Sequence, residues 1–423
     1  MIKAVSGTRD ILPSDIGNWI RIEQLIRSVM SFYNYSEIRP PIFEETSLFA
    51  RGIGENTDIV SKEMYTFTDR SGDSITLRPE MTAGVIRAFI EHSLDKKQSL
   101  NKLFYIGPMF RQERPQAGRF RQFHQFGAEA IGSNDPLLDA EMIIIAFEIL
   151  KNLGLKNLSV KINSLGVPES REEYKKVLRN YLQPHLEKLS EDSRKRMNAN
   201  ILRIFDSKDE RDKKIMDEAP LLIEHLDELS LEHFDNVKKT LAAAQISYEI
   251  DAKLVRGLDY YTHTTFEIAS GSVGSQNALC GGGRYNGLVK ELGGNDLPGV
   301  GFASGLERVL LACENERILP SDNDTIDLYI VLIDKQLKDI AFKKVIELRR
   351  KNIKAEIDYL SRSVKAQMRD ANRMNTKFVL FIGGEEFQKG EVILKNMLTG
   401  NQININKDDL DRIHSIVTNA SEH

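Results

Sequence analysis

Residues 103–132 read LFYIGPMFRQERPQAGRFRQFHQFGAEAIG. Two apolar, strand-like runs, 103–110 and 122–132, flank a tip that carries four arginines in the eleven residues 111–121. Proline and glycine in the tip are typical of a turn between strands. The stretch therefore predicts a long hairpin with fixed positive charges at its tip.

The residues after the tip divide into two sets, because alternate residues of a strand share one face. One set mixes cations, an aromatic ring, an amide and a carboxylate: Arg119, Arg121, Phe123, Gln125 and Glu129. Such a face cannot be a core, because unpaired buried charges are costly. It is either an ordinary solvated surface or the polar floor of a binding site. His124 belongs to the opposite set, which predicts a structural role for it.

Several details favour the binding floor. Residues 102–124 contain five Lys and Arg residues and one acidic residue, Glu113. Guanidinium groups suit phosphate oxygens. The ring of Phe123 can stack on a flat base, and Glu129 can accept a hydrogen bond from an ammonium group. The pattern predicts a site for a nucleoside phosphate together with an amino-bearing ligand.

Two further arginines lie in distant segments of the chain. Arg308 follows the glycine-rich run GVGFASG (299–305), and Arg256 lies within LVRGLDYY (254–261). The sequence has no GxxxxGK[ST] P-loop and no GxGxxG after a strand. Phosphoryl transfer needs charges on several sides of the phosphate. We therefore expect Arg111, Arg256 and Arg308 to converge on one phosphate.

The bulk properties are those of a soluble globular protein. The chain has 423 residues, 41% hydrophobic and 28% charged, a length that predicts about two or three domains. A net charge of −4 does not indicate bulk attraction to nucleic acid. The sequence lacks a signal-peptide pattern and any apolar run near the roughly 20 residues of a membrane span. We expect a cytoplasmic protein without a membrane partner.

Composition changes along the chain predict its domains. Residues 168–220 are charge-dense and helical, which indicates an insertion. A polar linker at 319–325 precedes strands and helices that alternate from 326 to 423, the pattern of a compact α/β domain. These changes predict a first region over 1–325 that contains the helical insertion, and a separate C-terminal α/β domain over 326–423.

Three segments resemble the motifs of class II aminoacyl-tRNA synthetases. IRPPIFEETSLFARGIGE (38–55) resembles motif 1, which forms the dimer interface in that class. FRQERP (110–115) with RQFHQFGAE (121–129) resembles motif 2, and GVGFASGLERVLL (299–311) resembles motif 3. The resemblance implies an α+β fold over 1–325, in which a mostly antiparallel class II sheet is flanked by helices and carries the helical insertion.

Four further segments narrow the resemblance to histidine–tRNA ligases. LVRGLDYYTHTTFE (254–267) and CGGGRYNGL (280–288) are similar to two motifs peculiar to that family, and GTRDILP (7–13) and TLRPEMTAG (76–84) fit it. The resemblance covers essentially the whole chain. It implies an ATP-dependent ligase that attaches L-histidine to tRNA(His) through a histidyl-adenylate. It also implies an anticodon-binding role for 326–423 and a homodimer.

The resemblance also implies site residues. For ATP it implies Arg111, Glu113, Arg119, Phe123 and Arg308. For histidine it implies Glu80, Met81, Thr82, Arg111, Gln125, Glu129, Arg256, Tyr260 and Tyr261. Arg111 and Arg256 are the implied catalytic cations on opposite sides of the α-phosphate. Arg114 and Gln116 are implied to face the tRNA acceptor end. Mg²⁺ is expected with ATP, its side-chain ligands are unknown, and no organic cofactor is expected.

Two residues depart from the usual sequence pattern of the family. Met81 replaces the family's usual glycine and is expected to narrow the pocket, and Asn286 replaces an aspartate near it.

The sequence also allows two alternative functions. One alternative is a synthetase-like regulatory subunit that binds histidine without charging tRNA. The other is a ligase that activates a different small amino-bearing acid. The intact LVRGLDYY motif and the C-terminal domain favour the histidine enzyme.

Overall fold

The structure is a computed structural model. It describes residues 2–54, 57–115, 118–255, 258, 260–274, 277–319 and 325–419. The chain divides into two compact units, residues 1–320 and 321–423.

The first unit is built on a sheet. Its strands are β1 (Ser36–Glu37), β2 (Phe43–Glu45), β3 (Tyr65–Thr68), β4 (Ser74–Leu77), β5 (Asn101–Phe110), β6 (Gln122–Ile131), β7 (Leu158–Ser164), β8 (Glu249–Ile250), β9 (Thr262–Ser270), β10 (Ala278–Arg284) and β11 (Gly299–Gly305). Across the described residues, eight strands form one sheet in the order β1-β5-β6-β11-β10-β9-β7-β8, and β2-β4-β3 form a smaller one. In the large sheet, the outermost β1 and β8 pair in parallel and the inner strands are antiparallel.

Helices surround this sheet. They are α1 (Pro13–Phe32), α2 (Thr46–Ile53), α3 (Thr82–Glu91), α4 (Pro136–Asn152), α5 (Pro168–Leu182), α6 (Glu191–Ala199), α7 (Glu210–Asp217), α8 (Glu228–Ala243), α9 (Leu288–Glu291) and α10 (Leu306–Asn315). Single turns of 3-10 helix occur at Leu94–Lys96, Gln183–Lys188, Ile201–Asp206, Leu222–His225 and Gly271–Val273, and a π turn at Ile59–Glu63.

One face of the large sheet carries the main core. Side chains of α1, α4, α8 and α10 pack there against Phe126, Ala128 and Ala130 of β6. In α1 the buried residues recur at helical spacing, which places Trp19 and Ile26 on the face toward the sheet. Covering this face with helices leaves the opposite face of β6 available for a site.

The predicted helical insertion is present. Helices α5 to α7 enclose an apolar cluster of their own, to which α5 contributes Tyr174, Leu178 and Leu182 at intervals of four residues. That spacing forms a single stripe along the helix, so the charged remainder of α5 faces solvent. The insertion therefore has a small core that is separate from the core under the sheet.

The second unit has its own sheet. Its elements are β12 (Leu328–Leu332), a 3-10 turn (Lys335–Leu337), α11 (Lys338–Arg350), β13 (Ala355–Ile357), α12 (Val364–Arg373), β14 (Phe378–Ile382), α13 (Gly384–Gln388), β15 (Glu391–Asn396), β16 (Gln402–Asn406) and α14 (Leu410–Asn419). The strand order is β13-β12-β14-β15-β16; the first three strands are parallel and the last two add antiparallel. The predicted fold class, an antiparallel sheet core with an α/β C-terminal domain, is confirmed.

No helix in the described parts of the chain is both long enough and apolar enough to cross a bilayer.

A buried ion pair ties the end of β10 to α4. Arg284 and Asp139 are both fully buried, and Arg284 Nε donates to Asp139 Oδ2 at 3.0 Å. His233 Nε2 lies 3.2 Å from Asp139 Oδ1. Burial acts to raise the pKa of Asp139, but the contacts with His233 and Arg284 outweigh it and lower that pKa. The carboxylate is therefore charged and compensated within the fold.

We expect Asp139→Asn to lower the free energy of unfolding by about 3–5 kcal/mol at pH 7, because it leaves the Arg284 charge buried without its partner. Urea unfolding followed by circular dichroism measures this change. Asp296→Asn is the control, since it removes an exposed partner of Lys290 and should cost less than about 1 kcal/mol. Equal losses in the two variants would contradict a stabilising role for the buried pair.

Candidate active site

The face of the sheet opposite the main core forms the floor of a cavity of about 390 Å³. Strands β6, β10 and β11 contribute the floor. The walls come from the starts of α3 and α10, from Gly118, Arg119 and Phe120 of the hairpin tip, and from Leu258, Tyr260 and Tyr261. Clefts of this size hold small-molecule ligands in proteins. The cavity is therefore the candidate active site.

The register of β6 decides which side chains reach the cavity. β6 lies between β5 and β11, and its Phe123, Gln125 and Glu129 line the cavity. His124 lies on the other face, where its backbone N–H donates to Glu307 Oε2 at 2.9 Å and its Nδ1 lies 3.0 Å from Glu307 Oε1. Along this strand the side chains therefore alternate between the cavity and the opposite face, and the binding of a ligand by the cavity face stays a prediction.

The alternation does not extend into the hairpin tip, because β6 begins only at Gln122. Phe120, predicted on the structural face, lines the cavity. Arg121 instead turns to the N-terminal segment: its N–H donates to Gly7 O at 2.7 Å and its Nη1 to Ser6 O at 3.3 Å. The prediction that Arg121 shares the ligand face is wrong, since residues before the strand do not follow its alternation.

One half of the cavity is cationic. Arg111, Arg119 and Arg308 all line it. Burial lowers the pKa of Arg111, although Glu63, Glu113 and Glu80 oppose that shift. Burial also lowers the pKa of Arg308, and the nearby Arg119 lowers it further. Burial therefore disfavours the charged form of both guanidinium groups, and an anion bound between them would offset that effect.

Hydrogen bonds hold these arginines in place. Arg111 Nε donates to Pro79 O at 2.9 Å, and its guanidinium carbon lies 5.3 Å from the centroid of the Phe123 ring. Arg308 Nη1 donates to Ala278 O at 2.8 Å. These contacts fix both guanidinium groups beside the cavity.

The other half of the cavity contains a buried carboxyl group. Glu129 is 1% exposed, and it accepts hydrogen bonds from Tyr285 Oη at 2.6 Å and Thr82 Oγ1 at 2.7 Å. Burial raises the pKa of Glu129 to about 8, with Glu80 adding to the shift. Within the described residues its hydrogen-bond donors are neutral, so a cationic ligand group would supply the compensation that the fold does not.

Glu80 is engaged by the start of α3. Its two carboxylate oxygens accept the N–H groups of Thr82 and Ala83, each at 2.8 Å. Carboxylates bind well at a helix N-terminus, where N–H groups lack partners. Burial nevertheless raises the pKa of Glu80. Glu80 therefore positions Thr82 and adds negative potential beside Glu129.

A glycine on the neighbouring strand makes room for Glu129. Gly301 pairs with Glu129 across β11 and β6. A Cβ added at Gly301 would lie 1.8 Å from Glu129 Oε2, a distance that no side chain can adopt. Any other residue at 301 would displace the carboxyl group from the floor.

Aromatic rings form the remaining wall of the cavity, and the floor near them contains a buried hydrogen-bond acceptor. The ring centroids of Tyr260 and Tyr261 are 4.7 Å apart, and those of Tyr260 and Tyr285 are 5.8 Å apart. Gln125 Oε1 is buried and has no hydrogen-bond partner among the described groups. An unsatisfied buried acceptor costs about 1–3 kcal/mol, so a ligand N–H directed at Gln125 would be favoured.

Several predicted residues have no observed place in the cavity. Arg256 and Gln116 lie outside the described residues. Arg114 is exposed and is not among the residues that line the cavity. In the part of the chain that the structure describes, no group of three or more His, Cys, Asp or Glu side chains is placed to bind a metal ion.

The two departures from the family pattern lie behind the cavity wall. Met81 packs in a buried cluster with Val85 and Tyr105 and does not line the cavity. Asn286 donates from Nδ2 to Asn134 Oδ1 at 2.9 Å, outside the cavity lining. Met81 and Asn286 therefore both have contacts elsewhere in the fold, and the predicted role of Met81 in binding histidine stays a prediction.

Sequence reasoning missed Tyr285 and Tyr105, whose hydroxyl groups donate to Glu129. The sequence feature that could have indicated these tyrosines is glycine on the neighbouring strands, because a missing side chain leaves space for a ring. A Cβ at Gly127 would lie 2.4 Å from the Tyr105 hydroxyl, and one at Gly299 would lie 2.2 Å from the Tyr285 ring. The sequence alone does not show which ring fills which space, because that depends on the order of the strands.

Comparisons with known proteins identify the family of this chain. The family model for histidyl-tRNA synthetase matches residues 7–309, and the model for an anticodon binding domain matches 327–413. The Histidine–tRNA ligase of Halothermothrix orenii is 51% identical over 404 residues, 96% of each chain. That of Anoxybacillus flavithermus is 50% identical over 400 residues, 94% of each chain.

A solved structure gives the same result. The crystal structure of apo S. aureus histidyl-tRNA synthetase matches with a TM-score of 0.83 and 41% identity, covering 98% of this chain and 100% of that one. The chain therefore belongs to the histidyl-tRNA synthetase family of class II aminoacyl-tRNA synthetases. The predicted family and the prediction of an enzyme are confirmed.

The raised pKa of Glu129 makes stability depend on pH. Its folded pKa of about 8 exceeds the unfolded value of about 4.3, so the folded state binds more protons between these values. We expect stability to fall as pH rises across that window, by at most about 1.4 kcal/mol per pH unit from this group. Glu129→Gln should remove this part of the slope.

The measurement is the free energy of unfolding of both proteins, without ligands, at pH 5 and pH 8. Exposed Glu232→Gln controls for loss of a surface carboxylate. A difference between wild type and Glu129→Gln that is the same at both pH values would show that Glu129 is ionised normally in the fold.

Proposed function

We propose that this enzyme attaches L-histidine to tRNA(His) in two steps. The histidine carboxylate attacks the α-phosphorus of ATP, which forms histidyl-adenylate and releases pyrophosphate. A ribose hydroxyl at the tRNA 3′ end then attacks the acyl carbon and releases AMP. The proposal rests on family membership and on one observation: a single cavity has a half lined by arginines and a half that buries the uncompensated Glu129.

Histidine fits the half that contains Glu129. Its ammonium group would donate to Glu129 and Thr82, supplying the missing positive charge beside the buried carboxyl group. Gln125 Oε1, which is buried without a partner among the described residues, would accept a further N–H. Tyr260 and Tyr261 would shape the imidazole pocket. The ligand carboxylate would then point toward Arg111.

ATP fits the arginine-lined half and enters as its magnesium complex, with Mg²⁺ held chiefly by phosphate oxygens. The adenine would stack on Phe123, with Arg308 on its other side. Arg111 would bind the α-phosphate and the histidine carboxylate together. Glu113 and Arg119, paired at 3.1 Å, would help to place the nucleotide.

The first step needs no general base, because the histidine carboxylate is already ionised at pH 7. Catalysis is then a matter of positioning the carboxylate in line and stabilising charge on the phosphate. Arg111 serves both needs from one side. Arg256 is proposed to stand on the opposite side of the α-phosphate, and this role remains a prediction.

The macromolecular partners follow from the family. Residues 326–423 are proposed to bind the anticodon stem, while Arg114 and Gln116 face the acceptor end. A homodimer through residues 38–55 is proposed, and it agrees with the exposure of Phe43 and Phe67 in the small sheet, which a partner subunit would cover. The cytoplasmic location remains a prediction.

ATP–pyrophosphate exchange tests the proposal. We expect exchange only when histidine is present. Arg111→Ala should lower kcat/KM by about 10²–10³-fold, the usual effect of removing one group that stabilises transition-state charge. Arg21→Ala is the control, because Arg21 is exposed on α1 and should leave exchange unchanged.

The other outcomes discriminate between functions. Histidine binding without exchange would indicate the regulatory subunit. Exchange stimulated by another amino acid would indicate a different ligase. Near-normal exchange in Arg111→Ala would remove Arg111 from its proposed role.

A further inference from the structure

The N-terminal residues 5–9 form a turn against the hairpin tip, outside the cavity lining. Thr8 N–H and Thr8 Oγ1 both donate to Val5 O, at 2.9 and 2.8 Å. Most of residues 2–9 are exposed, so the turn contributes little to the core. Its contacts are concentrated on one neighbour, the segment that carries the ATP-facing side chains.

The first contact is with Arg121, at the C-terminal end of the tip. Gly7 O accepts the Arg121 N–H at 2.7 Å, and Ser6 O accepts Arg121 Nη1 at 3.3 Å. Arg121 O in turn accepts the Arg111 N–H at 2.8 Å, and Arg121 Nε donates to Glu113 O at 3.4 Å. The turn is thus two hydrogen bonds from the backbone of Arg111.

The second contact is a cation between two rings. The guanidinium carbon of Arg9 lies 4.9 Å from the centroid of the Phe120 ring and 5.8 Å from that of Trp19. Phe120 lines the cavity, whereas Trp19 is buried in α1 and packs edge-on against His124. Arg9 therefore links a ring that lines the cavity to a buried ring of the main core.

Gly7 is needed for this arrangement. Its φ of +84° favours glycine, and an added Cβ would lie 2.8 Å from Arg121 Cγ and 2.9 Å from Pro115 Cγ. The backbone of the turn therefore lies close to the side chains of Arg121 and Pro115. A side chain at this position would push the turn away from the hairpin.

We propose that residues 5–9 are a positioning element for the ATP half of the site. They hold the base of the tip through Arg121 and the side of the cavity through Phe120, with Gly7 and Arg9 as positioning residues. Neither Gly7 nor Arg9 lines the cavity, so both act through other residues. The inference rests on the proposed function, because it assigns this half to ATP.

Exchange kinetics test Arg9. We expect Arg9→Ala to raise KM for ATP about fivefold to thirtyfold, the range that corresponds to two exposed cation–π contacts, and to leave KM for histidine within about twofold of wild type. Arg9→Lys, which keeps a cation, should restore most of the loss. Lys3→Ala, which removes an exposed cation of the same segment, should have no effect. An unchanged KM for ATP, or equal rises for both substrates, would overturn the proposal.

Hydrogen exchange tests Gly7 without relying on activity. Gly7→Ala should accelerate deuterium uptake by the Arg121 amide in the ligand-free protein. Gly72→Ala is the matched control, because Gly72 has a similar φ of +94° but open space around a Cβ. If the wild-type protein shows no histidine-dependent ATP–pyrophosphate exchange, the proposed function is refuted but the positioning role is not. Equal uptake at Arg121 in both glycine variants would refute the positioning role itself.

Discussion

The arrangement of the cavity depends on one carboxyl group, that of Glu129, which is buried in the sheet of the ligand-free protein. Glu129 sits in the floor among neutral hydroxyl donors, and Gly301 on the adjacent strand leaves the space that it occupies. Removing a carboxylate from water is costly, and the cost appears as the raised pKa. The fold bears this cost in the free protein, and a bound ammonium group would offset it.

The register of β6 determines how a ligand bound at Glu129 would be oriented. Glu129 and Phe123 lie on the same face of β6, so a ligand ammonium at one and a nucleotide base at the other are separated along a single strand. Arg111, at the end of the neighbouring strand, lies where the ligand carboxylate and a phosphate would meet. The antiparallel hairpin thus places opposite charges at fixed positions, as the proposed attack by an already ionised carboxylate requires.

The sequence predicted the parts of this site that depend on local pattern. Alternation along 122–129 identified Gln125 and Glu129, because strand geometry forces alternate side chains to opposite faces. It failed at Arg121, where the chain leaves the strand. It also missed Tyr285, because only the strand order, set by contacts between distant segments, brings that hydroxyl group to Glu129. The thioether of Met81 joined an apolar cluster that no local pattern indicates.

Calorimetric titration of histidine into the ATP-free protein at pH 7, in phosphate and in Tris buffer, tests the central claim most directly. With a pKa of about 8 in the free site, Glu129 is largely protonated, and an arriving ammonium group should expel that proton. We expect the heat of binding to differ between the buffers in proportion to their ionisation enthalpies, and the difference to vanish in Glu129→Gln. Tight binding of histidine to the wild-type protein with the same heat in both buffers would contradict the claim.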